Sequence, residues 1–400
     1  MKINFFVNGE PFNFFDKEAR IHRVGHLIQQ CKNSNIEYKV WTSNFYHQKK
    51  KFFSEKDKNF EIIKSIGYKK NISILRIIDN FLLGIKTYFK LKKGNYKNDI
   101  FICSFPIPEV CFAVSLFCKK RGIPIIIDLR DLWPQVFYNL YQNKIINIII
   151  KIIFFYQEIM NKFIFKNATS IFSITDTFLG YGLKYAKRKI HKNDSIFYLA
   201  HSKPTFYEKE DIKMNYNIPE DKIIICFFGV INIKKFDFLT LLKAIKNHNT
   251  NKFHFIICGD GDDSNIFDKE INNVTYLGWL NQKQISYIAR NSHFGLAHYK
   301  PTIDFCSSIP NKIIEYFSYG LPIIHSLKGD TYNLLNNNHI NYYYEYGDTD
   351  NFNLLLNKLS KVHKSENTNQ INKIFANEFN SNIVYKNYLN KVYEIYKKKI

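Results

Sequence analysis

Residues 307–324 combine a helix start, a lysine and a glutamate in an order suited to binding a phosphate and a sugar. Ser307 or Ser308 can cap this helix, with a proline in its first turn. The first backbone N–H groups of a helix attract anions, and Lys312 adds a positive charge there. Glu315 follows one turn later and can accept hydrogen bonds from a ribose diol, each worth about 1.5–3 kcal/mol. The alternative is an ordinary helix with a solvent-facing Glu.

A second group of charged residues, Asp128, Arg130 and Asp131, follows the apolar run Ile125–Ile127. Two carboxylates and a guanidinium at the end of a buried strand are costly to bury without partners. Functional sites tolerate that cost more often than cores do, so these residues are candidates for catalysis. The alternative is a helix cap with a buried Asp128–Arg130 ion pair.

Two further apolar runs end in glycine. Gly229 is followed by Lys234 and Lys235, whose ammonium groups can stabilise the charge that develops on a departing diphosphate. The turn Gly259–Gly261 lacks the last glycine of a dinucleotide fingerprint, because Ser264 stands there, and it lacks the Gly-Lys-Ser/Thr of a P-loop. The turn is therefore only weak evidence for dinucleotide binding. The lysines are either phosphate ligands or an exposed surface pair.

These residues fall at the ends of short apolar strands that alternate with helices. Strands are predicted at residues 3–7, 38–42, 100–103, 125–128, 170–174, 223–229, 253–259, 274–276, 294–297 and 322–325. Helices are predicted at residues 19–31, 109–121, 238–247, 284–290, 311–319 and 381–400. This alternation predicts an α/β fold with two Rossmann-like domains, whose parallel sheets are covered on both faces. Ligands of such sheets bind at the carboxyl ends of the strands.

The strand–helix pattern restarts after a polar stretch at residues 201–204. We therefore predict an N-terminal domain at residues 1–202 and a C-terminal domain at residues 203–380. The last helix, at residues 381–400, is expected to pack back toward the N-terminal domain. A chain of 400 residues suits two domains of ordinary size.

The composition says more about the cellular compartment of the protein than about its activity. The formal net charge of +22 is compatible with nucleic acid, an anionic membrane or an anionic substrate, but also with the codon bias of an AT-rich genome. The seven cysteines form no Cys-x-x-Cys pair, which favours a reducing compartment. Neither a signal peptide nor a run of about eighteen apolar residues is evident, so we expect a cytoplasmic protein without a membrane span.

Taken together, these segments resemble family 4 glycosyltransferases, which have the GT-B fold of two Rossmann-like domains facing across a cleft. The donor motif of that family has two Glu residues separated by seven others, followed by a Gly-x-Pro turn. Glu315 matches the second Glu, whereas Ser307 stands at the first. Gly229 and Lys235 match the Gly and Lys that hold the diphosphate, whereas Val230 replaces the Arg of that motif.

The Asp-x-Arg-Asp-Leu-Trp-Pro sequence at residues 128–134 is similar to a subgroup that acts on bacterial surface polysaccharides such as capsule and O-antigen. The resemblance implies a retaining glycosyltransferase that moves a sugar from a nucleoside diphosphate to a glycan or lipid-linked acceptor. A UDP-sugar is the expected donor, without a tightly bound cofactor or metal. The implied catalytic residues are Asp131 and Arg130, and the implied donor-binding residues are Gly229, Lys235, Leu280, Ser308, Asn311, Lys312 and Glu315.

The resemblance also implies individual roles. Glu315 would bind the ribose, the backbone of Leu280 would contact the base, and Asp131 would approach the donor sugar or the acceptor hydroxyl. In the family, the departing diphosphate helps to deprotonate the acceptor on the same face of the sugar. The segment from Asn8 to Arg23 occupies the position of the family's Gly-rich loop, without the usual Gly-Gly pair.

Residues 145–155 are nearly all apolar, but they are too few to span a bilayer. We favour a core helix here. Alternatively, with Lys144, Lys151 and Lys162 beside it, the segment lies in an anionic interface at the inner face of the plasma membrane. A polyprenyl-diphosphate-linked acceptor would suit that interpretation, and the net charge would help.

Three other functions stay open. A nucleotide-sugar epimerase of the same fold would act on the donor without an acceptor. The replacements at Ser307 and Val230 are compatible with a degenerate transferase that serves as a non-catalytic partner subunit. A basic nucleic-acid-binding protein is the third, but the sequence shows no recognisable module for it, so we expect no nucleic-acid partner.

Overall fold

The computed structural model describes residues 1–12, 21–71, 73–138, 143–207, 216–247, 251–361 and 367–398. The chain forms two compact units. The N-terminal unit comprises Met1–Tyr198 and Val384–Ile400, and the C-terminal unit comprises Leu199–Ile383. The domain borders predicted from the sequence lie at residues 202 and 380.

The N-terminal unit is built on a parallel sheet. Its strands are β1 (Lys2–Phe6), β2 (Glu37–Ser43), β3 (Phe45–Tyr46), β4 (Lys51–Phe52), β5 (Phe60–Ile63), β6 (Asp99–Phe105), β7 (Ile125–Leu129), β8 (Ser170–Ser173) and β9 (Ser195–Ile196). Seven of them pair in parallel in the order β5-β2-β1-β6-β7-β8-β9, and β3 and β4 form a separate antiparallel pair. Every residue of β6 and β7 is buried, as expected for a sheet covered on both faces.

The helices of this unit are α1 (Arg23–Asn33), α2 (Ile74–Leu91), α3 (Pro108–Arg121), α4 (Lys144–Ile153), α5 (Phe155–Lys166) and α6 (Asp176–Ala186). The Ser73 hydroxyl caps α2 by accepting a hydrogen bond from the Arg76 N–H at 3.3 Å. Gly122 ends α3 in the left-handed conformation, with φ of 64°. Helix α2, the longest of these, is not among the helices that the sequence predicts.

The C-terminal unit repeats this architecture. Its strands are β10 (Ile223–Phe228), β11 (Phe253–Cys258), β12 (Val274–Gly278), β13 (Phe294–Ala297), β14 (Ile323–His325) and β15 (Tyr342–Tyr343). They pair in parallel in the order β12-β11-β10-β13-β14-β15. The prediction of an α/β fold with two Rossmann-like domains is confirmed.

Eight α-helices are described after β10. They are α7 (Phe238–Asn247), α8 (Gln282–Arg290), α9 (Ile303–Cys306), α10 (Asn311–Ser318), α11 (Asp330–Asn337), α12 (Thr349–Leu359) and α13 (Thr368–Ile374), followed by the last helix, α14 (Ser381–Lys397). From Val384 onward, α14 belongs to the N-terminal unit. There the ring of Tyr388 contacts the rings of Phe172 and Phe197, with centroids 4.8 and 4.9 Å away.

Helix α4 corrects one interpretation of the sequence. The apolar segment at residues 145–155 was expected to be a core helix, but no residue of α4 is buried. Ile145 is 68% exposed and Ile152 is 70% exposed. None of the helices in the described part of the chain is long and apolar enough to span a bilayer. The apolar residues of α4 are therefore not part of the core of its own unit.

Candidate functional site

Three strands of the C-terminal unit end in glycines that lie side by side. The Gly229 N–H donates a hydrogen bond to Cys258 O at 2.9 Å, and the Gly259 N–H donates one to Gly278 O at 2.6 Å. These turns follow β10, β11 and β12, which are neighbours in the parallel sheet. They form the carboxyl edge of the sheet, where ligands of this architecture bind.

Glycine is required in these turns because their backbones touch. A Cβ on Gly259 would lie 1.8 Å from Gly229 O, and one on Gly261 would lie 2.2 Å from Ile231 O. Gly259 also has φ of 129°, a conformation that L-residues rarely adopt. The glycine pattern therefore serves first to pack the two turns against each other.

Helix α10 begins differently from the prediction. The cap assigned to Ser307 or Ser308 is wrong: Pro310 precedes the first helical residue, Asn311, and supplies no side-chain cap. Ser307 instead ends α9, and the Ser308 hydroxyl donates a hydrogen bond to Asp304 O at 2.8 Å. The local reason is that residues 303–306 form a helical turn of their own. The Asn311 side chain is exposed, with its Oδ1 3.4 Å from His201 Nε2.

The side chain of Lys312 points into the unit. Its Nζ lies 3.3 Å from the ring centroid of Phe227 and 4.2 Å from that of Phe236, and no described residue forms a hydrogen bond with it. The same atom lies 2.9 Å from where a Cβ on Gly229 would stand. Burial holds the pKa of Lys312 well below its ordinary value, although the nearby Glu315 carboxylate raises it. The amine of Lys312, which was predicted to add a positive charge at the helix start, is therefore enclosed behind Gly229.

His298 is a second enclosed base that the sequence analysis does not identify. Its side chain is fully buried, and neither ring nitrogen has a hydrogen-bond partner in the part of the chain that the structure describes. Burial and the neighbouring Lys312 hold the pKa of His298 well below its ordinary value, so the imidazole is neutral at pH 7. The only sequence signal is its position at the end of β13, directly before Tyr299.

Tyr316 ties α10 to the sheet below the Gly229 turn. Its hydroxyl oxygen accepts a hydrogen bond from the Phe228 N–H at 3.2 Å and lies 3.1 Å from Leu296 O, to which it can donate. A Cβ on Gly295 would lie 2.5 Å from the Tyr316 ring, so the ring fits only over a glycine. This contact fixes how far α10 lies from the strand ends, and with it the positions of Lys312 and Glu315.

Glu315 is half-buried on the helix turn after Lys312. Among the described residues, no hydrogen bond or ion pair engages its carboxylate, whereas its backbone O accepts a bond from Ser318 Oγ at 2.6 Å. Its negative charge also raises the pKa of Tyr299, after the larger effect of burial. Tyr299 adjoins the Lys235 turn, because the Lys300 N–H donates to Lys235 O at 2.8 Å.

The remaining predicted donor residues are distributed around this centre. Lys235 is exposed in the turn after β10, and Leu280 is half-buried in the turn after β12. Gly229, Lys312 and Glu315 lie together at the carboxyl edge of the sheet. Ser308 is turned back onto α9 by its own hydrogen bond.

In the N-terminal unit, Asp128 and Arg130 belong to a buried ion-pair network. Arg23 lies 3.0 Å from one oxygen of Asp128, and Arg130 Nε lies 3.6 Å from the other. Arg130 also pairs with Glu10. Burial lowers the pKa of Arg130, but the carboxylates of Glu10 and Asp128 outweigh it, and the net shift is upward. This agrees with the alternative in which Asp128 and Arg130 form a buried pair, and it leaves Arg130 less available to a substrate than the catalytic prediction requires.

Asp131 is half-buried in the turn that follows β7. Its Oδ1 accepts a hydrogen bond from the Leu132 N–H at 2.8 Å, which orients the carboxylate at the carboxyl edge of the N-terminal sheet. The segment from Asn8 to Arg23, predicted to occupy the position of the family's Gly-rich loop, includes residues 13–20, which lie outside the described residues.

Comparison with known proteins agrees with the two-domain α/β fold described above. Residues 222–362 match a family model described as "Glycosyl transferases group 1". Among solved structures, the lipopolysaccharide outer core galactosyltransferase WaaB has 17% identity and a TM-score of 0.60, over 98% of this chain and 99% of its own. The chain has the GT-B fold. No curated protein matches it.

Two further neighbours cover almost the full chain. Sucrose-phosphate synthase from Thermosynechococcus elongatus has 12% identity and a TM-score of 0.69, over 99% of both chains. Anabaena Alr3699/HepE in complex with UDP has 11% identity and a TM-score of 0.63, over 98% of this chain and 100% of its own. At these identities, the likeness establishes the fold. With the family match in the C-terminal unit, it supports a glycosyltransferase of the GT-B type.

Proposed function

We propose that the protein is a retaining glycosyltransferase that moves a sugar from a UDP-sugar to a glycan or polyprenyl-diphosphate-linked acceptor in bacterial surface polysaccharide synthesis. One observation carries the proposal. At the carboxyl edge of the C-terminal sheet, the amine of Lys312 lies behind the Gly229 turn, and the carboxylate of Glu315 lies one helical turn away. Neither group has a hydrogen-bond partner among the described residues. A diphosphate and a ribose diol have the groups that match this pair.

Each donor residue has a proposed role. The Glu315 carboxylate accepts hydrogen bonds from the ribose hydroxyls, and the backbone near Leu280 contacts the base. Lys235 and Lys312 stabilise the diphosphate, whose negative charge increases as its bond to the sugar breaks. Because Gly229 has no Cβ, no side chain of its own separates the amine of Lys312 from a bound phosphate. The choice of UDP follows the neighbour described in complexes with UDP and UDP-glucose.

Transfer then needs little covalent chemistry from the protein. The bond between the sugar's anomeric carbon and the diphosphate oxygen breaks, and the bonding electrons leave with the diphosphate. The acceptor hydroxyl oxygen forms the new bond on the same face and gives its proton to the departing diphosphate. Asp131, in the N-terminal unit, is the proposed contact for the reacting hydroxyl. Positioning and charge stabilisation supply most of the rate enhancement in such a reaction.

The exposed face of α4 supports a membrane-bound acceptor. Ile145, Ile152 and Phe155 are each more than half exposed, and Lys144 and Lys151 are the charged residues of α4. Contiguous exposed apolar surface marks an interaction site, and lysines beside it favour anionic lipid. We therefore propose peripheral contact with the inner face of the plasma membrane.

The decisive test is the Glu315→Gln variant. Loss of a charge-assisted hydrogen bond to the ribose should weaken UDP binding about 10- to 100-fold. The melting temperature should stay unchanged, because this carboxylate has no partner among the described residues. Titration calorimetry with UDP measures the affinity, and Glu270→Gln, an exposed glutamate in the same unit, is the matched control. Equal UDP affinity in both variants would contradict the assignment.

Product analysis separates the remaining alternatives. Conversion of a UDP-sugar in the absence of acceptor would indicate an epimerase. No binding of any nucleoside diphosphate by the wild-type protein would favour the non-catalytic partner subunit, which the residues at Ser307 and Val230 make worth testing.

A further inference from the structure

A cationic cluster in the N-terminal unit is not used by the donor site. It consists of His47, Lys50 and Arg76, gathered around Tyr68 and Asn71. Lys50 Nζ lies 3.2 Å from His47 Nδ1, donates to the Asn71 side chain, and lies 4.8 Å from the Tyr68 ring centroid. Arg76 donates to Asn71 O at 2.8 Å and lies 5.5 Å from the same ring. Two cations thus share one aromatic ring and one asparagine.

No carboxylate in the described part of the chain lies within ion-pair distance of either cation. Within the described residues, neither Lys50 nor Arg76 forms an ion pair, and Arg76 Nε is buried without a hydrogen-bond partner. The nearby carboxylate of Asp79 is occupied by hydrogen bonds from Ser65 Oγ at 2.7 Å and Ile66 N at 2.8 Å. Glu109, whose charge also acts on Arg76, accepts hydrogen bonds from two neutral side chains.

The positive charges in the cluster lower the pKa values of two of its members, His47 and Lys50. Burial, Arg76 and Lys50 together lower the pKa of His47 to about 4, so its ring is neutral at pH 7. Burial and Arg76 also lower the pKa of Lys50. An anion placed between Lys50 and Arg76 would relieve this repulsion and would gain charge-assisted hydrogen bonds.

The cluster lies beside the proposed catalytic turn. The guanidinium of Arg76 lies 4.7 Å from the ring centroid of Trp133, two residues after Asp131. Arg76 is also in the first turn of α2, an 18-residue helix whose N-terminal backbone dipoles favour negative charge. A ligand anchored here would therefore lie beside Trp133, in the turn that also carries Asp131.

Apolar surface continues from the cluster along α2. Ile74 is 77% exposed, and Leu75 and Ile78 are also exposed on either side of Arg76 in the sequence. Farther along the helix lies a groove of about 270 Å³. Its exposed lining atoms are nearly all apolar and come mainly from Phe81, Ile85, Tyr88, Phe112, Leu116 and Met160, although Glu109 also borders it. A ligand that fits both features has a phosphate group joined to a hydrocarbon chain.

We infer that Lys50 and Arg76 hold the phosphate groups of a lipid-linked acceptor, whose hydrocarbon chain follows the apolar face of α2. This inference rests on the proposed function and adds to it the anion site of the acceptor. Arg76 positions the acceptor near Asp131, and α2 and α4 face the lipid.

Farnesyl diphosphate is a soluble probe for this site. The full chain should bind it more tightly than farnesol or inorganic diphosphate, and Arg76→Gln should weaken that binding about 10-fold or more. Lys93→Gln, an exposed lysine just after the same helix, is the matched control and should bind as the wild type does. UDP affinity, measured on the same samples, should be unchanged in both variants, and a wild-type circular dichroism spectrum and melting temperature would show that the N-terminal unit is folded.

The outcomes are distinguishable. Equal binding of farnesyl diphosphate by the wild type and Arg76→Gln would overturn the inference, whereas loss of UDP binding by the wild type would overturn the proposed function instead. Phosphatidylglycerol vesicles supply the other source of lipid phosphate. If Arg76→Gln lost only vesicle binding and kept its affinity for farnesyl diphosphate, the cluster would bind bulk lipid headgroups, and the inference would be wrong.

Discussion

Replacement of Lys312 by methionine should stabilise the C-terminal unit and weaken donor binding at the same time. Methionine has nearly the shape of lysine and needs no hydrogen bond. Lys312 is 8% exposed, and its amine is buried with no hydrogen-bond partner among the described residues. Removal of an unsatisfied buried polar group should raise the free energy of unfolding by about 1–3 kcal/mol. Donor affinity should fall about 10-fold or more, because one cation near the diphosphate is lost.

Two opposing effects decide whether this amine is charged. The rings of Phe227 and Phe236 favour an ammonium ion, by about 2 kcal/mol for a desolvated cation–π contact. Removal of an ammonium ion from water costs several kcal/mol, roughly twice that or more. Burial therefore outweighs the rings, and the pKa of Lys312 lies well below its ordinary value.

The pH dependence follows from this. Because burial holds the folded pKa of Lys312 well below its ordinary value of 10.5, the unfolded chain binds the additional proton between the two values. The wild type should therefore lose stability as pH falls from 10.5, by up to about 1.4 kcal/mol per pH unit, until the folded pKa is reached. Lys312→Met lacks this loss, so its advantage should be larger at about pH 7 than at about pH 10.

Urea denaturation of both proteins at several pH values, together with UDP titration, measures these effects. Lys269→Met, at an exposed lysine of the same unit, should change stability by less than about 0.5 kcal/mol. A Lys312→Met variant that is less stable than the wild type, or whose advantage does not change with pH, would refute the reasoning. It would mean that the ammonium ion is kept charged by its aromatic neighbours.

Two further predictions concern the strand-end turns. Gly259→Ala should lower the free energy of unfolding of the C-terminal unit by more than about 3 kcal/mol, because its Cβ would lie 1.8 Å from Gly229 O, and thermal denaturation measures the loss. Gly347→Ala, where φ is 80° and nothing lies within 4 Å, should cost only about 1–2 kcal/mol of backbone strain. Asp131→Asn should reduce transfer at least about 100-fold in a product assay while UDP affinity and stability stay near wild-type values, and near-normal transfer would remove Asp131 from the mechanism.

Much of the fold follows from local sequence. Apolar runs of four to seven residues mark the central strands, and the strand at Phe294–Ala297 agrees residue for residue with its prediction. Helix α2 is not predicted because it begins with Ile-Leu-Arg-Ile-Ile, a β-branched apolar run that periodicity does not separate from a strand. The assignment of the protein to family 4 and to a surface-polysaccharide subgroup stays a prediction.

The candidate site, too, could be predicted only in part from the sequence. The sequence predicts that Gly229 and Glu315 lie at strand and helix ends, since glycine turns and helix starts are local features. It cannot predict that Lys312 points inward or that Ser307 ends a separate helical turn. Those outcomes depend on the rings of Phe227 and Phe236 and on the bond from Ser308 to Asp304.

The sequence by itself determined the alternation of strands and helices, the two-unit organisation, and the glycine turns that end the strands of the C-terminal unit. These features depend on the preferences of neighbouring residues and on the period of the apolar positions. Only the tertiary structure brought Lys50, Arg76 and Trp133 together, and only it paired Asp128 with Arg23 and Arg130. Such contacts join residues that are distant in the chain. The order of the strands in the sheet and the packing of the helices on it decide them, because local preferences carry no information about which distant side chains become neighbours.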